Sequence, residues 1–157
     1  LDRLLAYRNV LEENNLLDES LICRVPPHRL DGAQLLRNLL GMANRPTALF
    51  IADPFIAVGA INEAHKLGVR LPEDLSIVGF DDSDLRNVIY PRMSAVCQDA
   101  QMLGRLAFEE VVRLSNQDEC VSPRPTVHSA WLEIGNTTAL PPKNPERILP
   151  TGARLPA

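Results

Sequence analysis

An α/β layer fold with a mainly parallel sheet is what this sequence predicts, and three observations predict it. Two apolar strands, TALFIA and LSIVGF, flank one helix-length segment, DPFIAVGAINEAHKLGV. Amphipathic helical stretches alternate with short apolar runs along most of the chain, a pattern that places helices on both faces of a sheet in three layers. The strand candidates also end on polar residues: Asp53, Asp81 and, after MSAVC, Gln98. In an open parallel sheet, ligands bind in the crevice beyond the carboxyl ends of the strands. The three polar ends are therefore expected to share one rim and converge on one cavity.

Composition narrows the function classes. A chain of 157 residues, 45% hydrophobic and 23% charged, has the make-up of one soluble globular domain able to bury a core. Its net charge of -4 gives it no electrostatic reason to grip a phosphate backbone, so any DNA contact is expected from residues outside it. Cys23, Cys97 and Cys120 are odd in number and irregularly spaced, which suits a reducing cytoplasm and argues against a disulfide framework or a zinc site. No apolar run approaches the ~20 residues of a membrane span, and no signal peptide opens the chain. No metal, cofactor or membrane partner is expected. Catalysis is not expected either: His28, His65 and His128 are scattered, and no Ser or Cys has a base at recognisable spacing. There is no phosphate-binding glycine motif.

Each element has a local reason. Residues 1–15 read as an amphipathic helix with Leu1, Leu4, Leu5 and Leu11 on one side, interrupted by Arg8. Arg3 stands near its start, where the macrodipole offers a cation nothing. SLICRV, residues 20–25, is a short buried-strand candidate stopped by Pro26 and Pro27. Asp31 is expected to cap a second helix to about Met42, with Leu36, Leu39, Leu40 and Ala43 on one face. Arg45-Pro46 breaks to the strand 47–52. Asp53-Pro54 then opens a helix with an N-cap carboxylate and a first-turn proline. Ile56, Ala57, Val58, Ala60, Ile61, Ala64 and Leu67 occupy about half of that helix's circumference, where a ~100° stripe would suffice to lie on a sheet. The extra width is expected to meet another lobe or another subunit.

Gly68 is expected to end this helix in a left-handed cap. VRLPED leads to the strand 75–80, and residues 81–90 form a turn or a single helical turn. After MSAVC, Asp99 caps a helix to about Asn116 with Leu103, Leu106, Ala107 and Leu114 on its apolar face. Residues 126–134 are one bent strand or two short ones. A proline-rich tail, 139–157, is expected to be disordered. A first helix with no strand before it implies that a partner strand of the sheet is left out, so the chain reads as an incomplete fragment. Asn136-Thr137-Thr138 is a formal glycosylation sequon, without meaning in a cytoplasmic protein.

The run RPTALFIADPFIAVGAINEAHKLGVRLPEDLSIVGFDDSDLRNVIYPRMSAVCQD resembles the effector-binding core of the lactose-repressor (LacI/GalR) transcriptional regulators. Their pattern there is P-T-A-I-F, a polar pair, an A-x-G helix, then G-x-x-V-P-x-D-x-S-V-x-G-F-D-D, P, T-T-V and Gln. QMLGRLAFEEVVRL is similar to the family's M-G-x-x-A helix, WLEIGNTTALPP to its closing L-x-x-R-x-S-T-x-x-P, and RLLAYRNVLEEN to its R-x-x-G-[FYW] helix. The resemblance implies a periplasmic-binding-protein-like type I domain of two lobes that closes on a sugar or purine-like effector. An operator-binding helix-turn-helix would precede it, outside this chain, and the protein would act as a homodimer. Residues 1–138 would be the effector-domain fragment, with 1–98 and 127–138 in the carboxy-terminal lobe and 99–126 crossing into the other.

The same resemblance assigns candidate roles. Arg3 falls on the family's ligand-contacting Arg, and a guanidinium fork suits vicinal hydroxyls or a carboxylate. Asp53 stands where the family has Asn, with Pro54 in place of its Asp, so it serves as acceptor and N-cap without donating. Asp81 matches the cleft-facing first Asp of G-F-D-D, whereas Asp82 takes a turn role. Gln98 matches the Gln at the crossover between lobes. Pro27 and His28 occupy the place of a ring-stacking aromatic. Gly135 replaces the closing Arg, which removes a structural contact. Ile56, Ala57, Ala60, Ile61, Leu85 and Ile89 map to the dimer surface. The alternative reading is a periplasmic sugar receptor for transport, which has the same fold.

Overall fold

A computed structural model describes residues 2–81, 84–116, 122 and 125–143, with the backbone alone at 84 and 85. Its elements are α1 (Asp2–Glu13), a 3-10 turn (Glu19–Leu21), α2 (Arg29–Leu40), β1 (Ala48–Ile51), α3 (Pro54–Lys66), β2 (Ser76–Phe80), α4 (Asp84–Val88), β3 (Ser94–Cys97), α5 (Ala100–Ser115) and β4 (Trp131–Glu133). The strands form one sheet in the order β1-β2-β3-β4. The first three are parallel, and β4 runs antiparallel to β3.

The alternation of side chains sorts the sheet into two faces. Leu49, Ile51 and Ile77 point to the face that holds the main core, where they meet Leu36 and Leu40 of α2 and Ala57, Ala60, Ile61 and Ala64 of α3. Leu36 and Ile61 are fully buried, and each contributes about 1.5–3 kcal/mol. On the opposite face α1 lies over the sheet through Tyr7, stacked on Phe50 with ring centroids 6.4 Å apart, and through Arg3, placed over Phe80. No residue of α1 is fully buried.

Helices α2 and α3 cross backbone to backbone, which two glycines permit. A Cβ on Gly32 would lie 2.2 Å from the Ile56 carbonyl oxygen, and one on Gly59 would lie 2.0 Å from that of Arg29. This contact, together with the sheet, covers the wide apolar surface of α3. Ala57, Ala60 and Ile61, expected at a dimer surface, are instead 0% exposed within the chain's own core. Ile56 and Ile89 pack partly buried against the same core, and the Leu85 side chain lies outside the described residues. An aspartate at position 61 would disrupt the core before it reached any second subunit.

Other local expectations change as well. Residues 22–25 form no strand: Asp18 accepts hydrogen bonds from the Ser20 amide and hydroxyl, which nucleates the 3-10 turn, and no ladder reaches the segment after it. The N-cap of α2 is His28, without a side-chain cap bond, so Asp31 falls in the first turn; Ala43 lies beyond the helix, exposed. Gly68 does adopt the left-handed conformation, at φ 71°. In the turn before β2, Asp74 accepts from the Arg70 backbone N–H at 3.0 Å and from its guanidinium at 2.8 and 2.6 Å. Hydrogen bonding from the Arg70 side chain holds the Asp74 carboxyl below the usual carboxylate range.

The chain end locks the sheet through Thr137, which is 0% exposed. Its Oγ1 donates to the Ile77 carbonyl at 2.6 Å and accepts from the Ser94 N–H at 2.9 Å, bridging β2 to β3. Ser94 Oγ accepts from the Gly135 N–H at 2.9 Å and bonds the Thr138 hydroxyl at 3.0 Å. A Cβ on Gly135 would lie 2.3 Å from the Arg92 carbonyl oxygen, so the position excludes a side chain in this packing. Ala139 still bonds Ser76 through both its N–H and its C=O, so ordered contact runs past residue 138; residues 144–157 lie outside the described chain. Thr137→Val keeps the shape but strands two buried backbone groups. A loss of about 2 kcal/mol is expected in urea unfolding, and an unchanged midpoint would contradict the bridging role.

Candidate binding site at the strand ends

The rim beyond β1, β2 and β3 is built from residues whose backbones the sheet fixes. Asp81 follows β2 directly, with φ 73°, a left-handed conformation that Asp tolerates better than most residues. Its N–H donates to the Val96 carbonyl at 2.9 Å, and its Oδ1 accepts from Gln98 Nε2 at 2.6 Å. Gln98 follows β3 directly, so the sheet order places the amide beside the carboxylate. Gly79 gives β2 room for the Met93 side chain, whose Cε would stand 2.4 Å from a Cβ there.

Arg3 spans the other half of the rim. Its guanidinium donates from one terminal nitrogen to the Ala52 carbonyl at 3.0 Å and lies 4.3 Å from the Phe80 ring centroid. It thereby touches the carboxyl ends of both β1 and β2. Asp53 is the N-cap of α3, with Oδ1 accepting from the Phe55 and Ile56 N–H groups at 2.8 and 3.0 Å. That carboxylate retains a second oxygen for another donor.

Asp53, Asp81 and Gln98 thus occupy neighbouring strand ends and Arg3 reaches two of those ends from α1, with one correction. A cavity of about 390 Å³ opens beside the outer edge of β1, lined by Arg3, Asp53, Tyr7, Leu39, Phe50 and others, and neither Asp81 nor Gln98 reaches it. The rim is shared, but the cavity is not. The cavity is largely apolar, and burial raises the pKa of the Tyr7 phenol in its wall. His28 is exposed at the N-cap of α2 and makes no side-chain cap bond.

Chemically, the rim offers a guanidinium fork, a carboxamide and carboxylate acceptors, a set that matches hydroxyl-rich ligands. Among the described residues no three His, Cys, Asp or Glu side chains gather to hold a metal, and no helix is long and apolar enough to cross a membrane. Two groups of residues were not foreseen from sequence. One is the Ser94–Thr137 lock, whose signal was the paired hydroxyls of Asn136-Thr137-Thr138. The other is the Arg86–Glu133–Arg92 cluster, for which spacing gave no signal.

An open, mainly parallel sheet carrying polar groups at successive strand ends is an α/β ligand-binding architecture. Residues 1–138 match the periplasmic binding protein-like domain, and the chain belongs to that family. It is 37% identical over 120 residues to the ribose operon repressor of Haemophilus influenzae, an alignment covering 75% of this chain and 36% of that protein. Among solved structures, the transcription regulator CcpA of Lactococcus lactis superposes with a TM-score of 0.80 at 25% identity, over 87% of this chain and 50% of that one. A CelR–cellobiose complex, also a transcriptional regulator, gives a TM-score of 0.76 at 29% identity, over 86% and 41%. These relatives are named as regulators, not as enzymes, and the chain spans only a part of each.

The cap geometry of Asp53 gives a direct test. Asp53→Ala is expected to lower stability by about 1 kcal/mol, and Asp53→Asn to restore most of it, in thermal or urea unfolding. Equal losses in both variants would show that the carboxylate charge, and not the cap bond, is what matters.

Proposed function

We propose that this chain is the effector-binding and dimerising part of a cytoplasmic, DNA-binding transcriptional regulator, and that it catalyses no reaction. The effector is a sugar or nucleoside-like small molecule that lies across the strand-end rim, outside the apolar cavity beside β1, where it meets Arg3, Asp53, Asp81 and Gln98. The observation that carries this reading is the row of polar groups across three adjacent strand ends, with Asp81 and Gln98 hydrogen-bonded and Arg3 bridging β1 to β2. Relatives named as repressors and regulators support it over a transport receptor. Cellobiose in the CelR complex supports a carbohydrate-class ligand. Operator DNA would be bound by a helix-turn-helix outside this chain, in keeping with the net charge of -4.

The mechanism is a shift between lobe arrangements. A ligand moves such an equilibrium only by as much as it binds one arrangement better than the other. Helix α5 supports a second lobe as its partner: it has no fully buried residue, while Phe108 and Val111 stand 69% and 61% exposed. A homodimer surface is supported on the side of α3 that the core leaves open. There Val88 and Tyr90, 76% and 86% exposed, flank a depression that also includes Asn62 and His65.

Two experiments on the full-length protein test these assignments. In a thermal-shift screen with ribose, cellobiose and adenosine, a ligand at 100 times its dissociation constant adds ~2.7 kcal/mol. Asp81→Gly, which keeps the left-handed backbone, is expected to erase that shift with little change in the unliganded melt; a retained shift removes Asp81 from the pocket. For assembly, Val88→Asp with Tyr90→Asp is expected to move the sedimentation profile towards monomer, and an unaltered profile would place the dimer surface elsewhere.

A further inference from the structure

Arg86 is 1% exposed, a buried guanidinium near the strand-end rim. It lies on α4, shortly after Asp81, and its guanidinium pairs with the Glu133 carboxylate on β4. The same Glu133 oxygen accepts from Arg92 at 3.0 Å, just before β3 begins. Strand β4 is also held just beyond its end, where the Gly135 N–H donates to Ser94 Oγ. It is three residues long and pairs with β3, and Trp131 and Leu132 remain 44% and 55% exposed.

A buried guanidinium is a costly way to hold a strand, because its desolvation offsets most of the attraction and apolar packing would serve stability as well. What the ion pair adds is position. Helix α4 begins three residues beyond Asp81, and β4 is where the chain returns to the sheet after α5. The pair therefore ties the segment that follows the rim carboxylate to the strand that re-enters the lobe. Asp81 is held in its left-handed conformation while its carboxylate accepts from Gln98. A ligand hydroxyl donating to the Asp81 carboxylate would compete with the Gln98 amide for that acceptor.

We propose that Arg86 and Glu133 are a positioning pair that couples occupation of the Asp81–Gln98 rim to the placement of β4, and so to the α5–β4 crossing. The proposal rests on the reading of that rim as an effector site. Trp131, the single tryptophan of the chain, sits on β4 and reports its placement.

In the full-length protein, ribose, cellobiose and adenosine are each titrated by calorimetry and by fluorescence, the Trp131 signal being identified by its loss in Trp131→Phe. Glu133→Gln is expected to leave the dissociation constant within about two-fold while the ligand-induced Trp131 change falls by about five-fold or more. Arg86→Lys, which keeps the charge, is expected to retain part of the response. If Glu133→Gln does not fold, Arg92→Gln is measured in its place, with a reduced response expected. A lowered melting point with an undiminished Trp131 response overturns the proposal and leaves the pair a purely structural one. Binding to the wild type with no Trp131 change also overturns it, while the effector reading survives. No binding of any of the three compounds takes down the effector reading, and the coupling with it.

Discussion

The crossing of α2 over α3 at Gly32 and Gly59 is the constraint on which the rest of the fold depends. Each glycine faces a carbonyl oxygen of the other helix so closely that even a methyl group would force the helices apart. Because they approach so near, Leu36 and Leu40 reach the same cluster as Ala57, Ala60, Ile61 and Ala64. That cluster packs α3 onto Ile51 and Ile77 of the sheet. Close packing of this kind transmits a shift at one helix to the other instead of absorbing it. The Gly32–Ile56 contact lies in the first turn of α3, beside the Asp53 cap, so the crossing and that rim residue share one stretch of backbone.

A second layer of order is polar. Thr137 satisfies buried backbone groups of β2 and β3, and the Arg86–Glu133–Arg92 cluster anchors the one antiparallel strand. Both sets of links are made by the last part of the chain to join the sheet. The apolar core accounts for the β1–α3–β2 unit, and hydrogen bonds and charge account for the attachment of β4. The two halves of the lobe thus differ in what holds them, the second being the more sensitive to a change in a single polar partner.

Much of this was legible in the residues. Asp53-Pro54 announced the start of α3, Gly68 its end, and Asp99 the start of α5, because caps are short-range chemistry read within four residues of chain. The strand-end positions of Asp53, Asp81 and Gln98 followed from the same local logic. Residues 20–25 misled because an apolar run cannot reveal whether a partner strand lies alongside, and the competing Asp18–Ser20 turn won locally. The breadth of α3 misled for a related reason. Periodicity counts how much surface a helix must cover but not what covers it, and here α2 does most of the covering.

By itself, then, the sequence determined the alternation of elements, their caps, the resemblance to a regulator family and the candidate polar residues, since all of these reside in neighbouring residues or in a recognisable run. Tertiary structure alone decided that Asp81 bonds Gln98 while Arg3 bridges β1 and β2, that Arg3 and Asp53 line a cavity neither Asp81 nor Gln98 reaches, and that Arg86 reaches Glu133 across 47 positions of chain. The physical reason is range. A cap or a turn is settled by adjacent peptide groups, whereas a rim, a cavity or a buried ion pair exists only once the sheet order has brought distant side chains together.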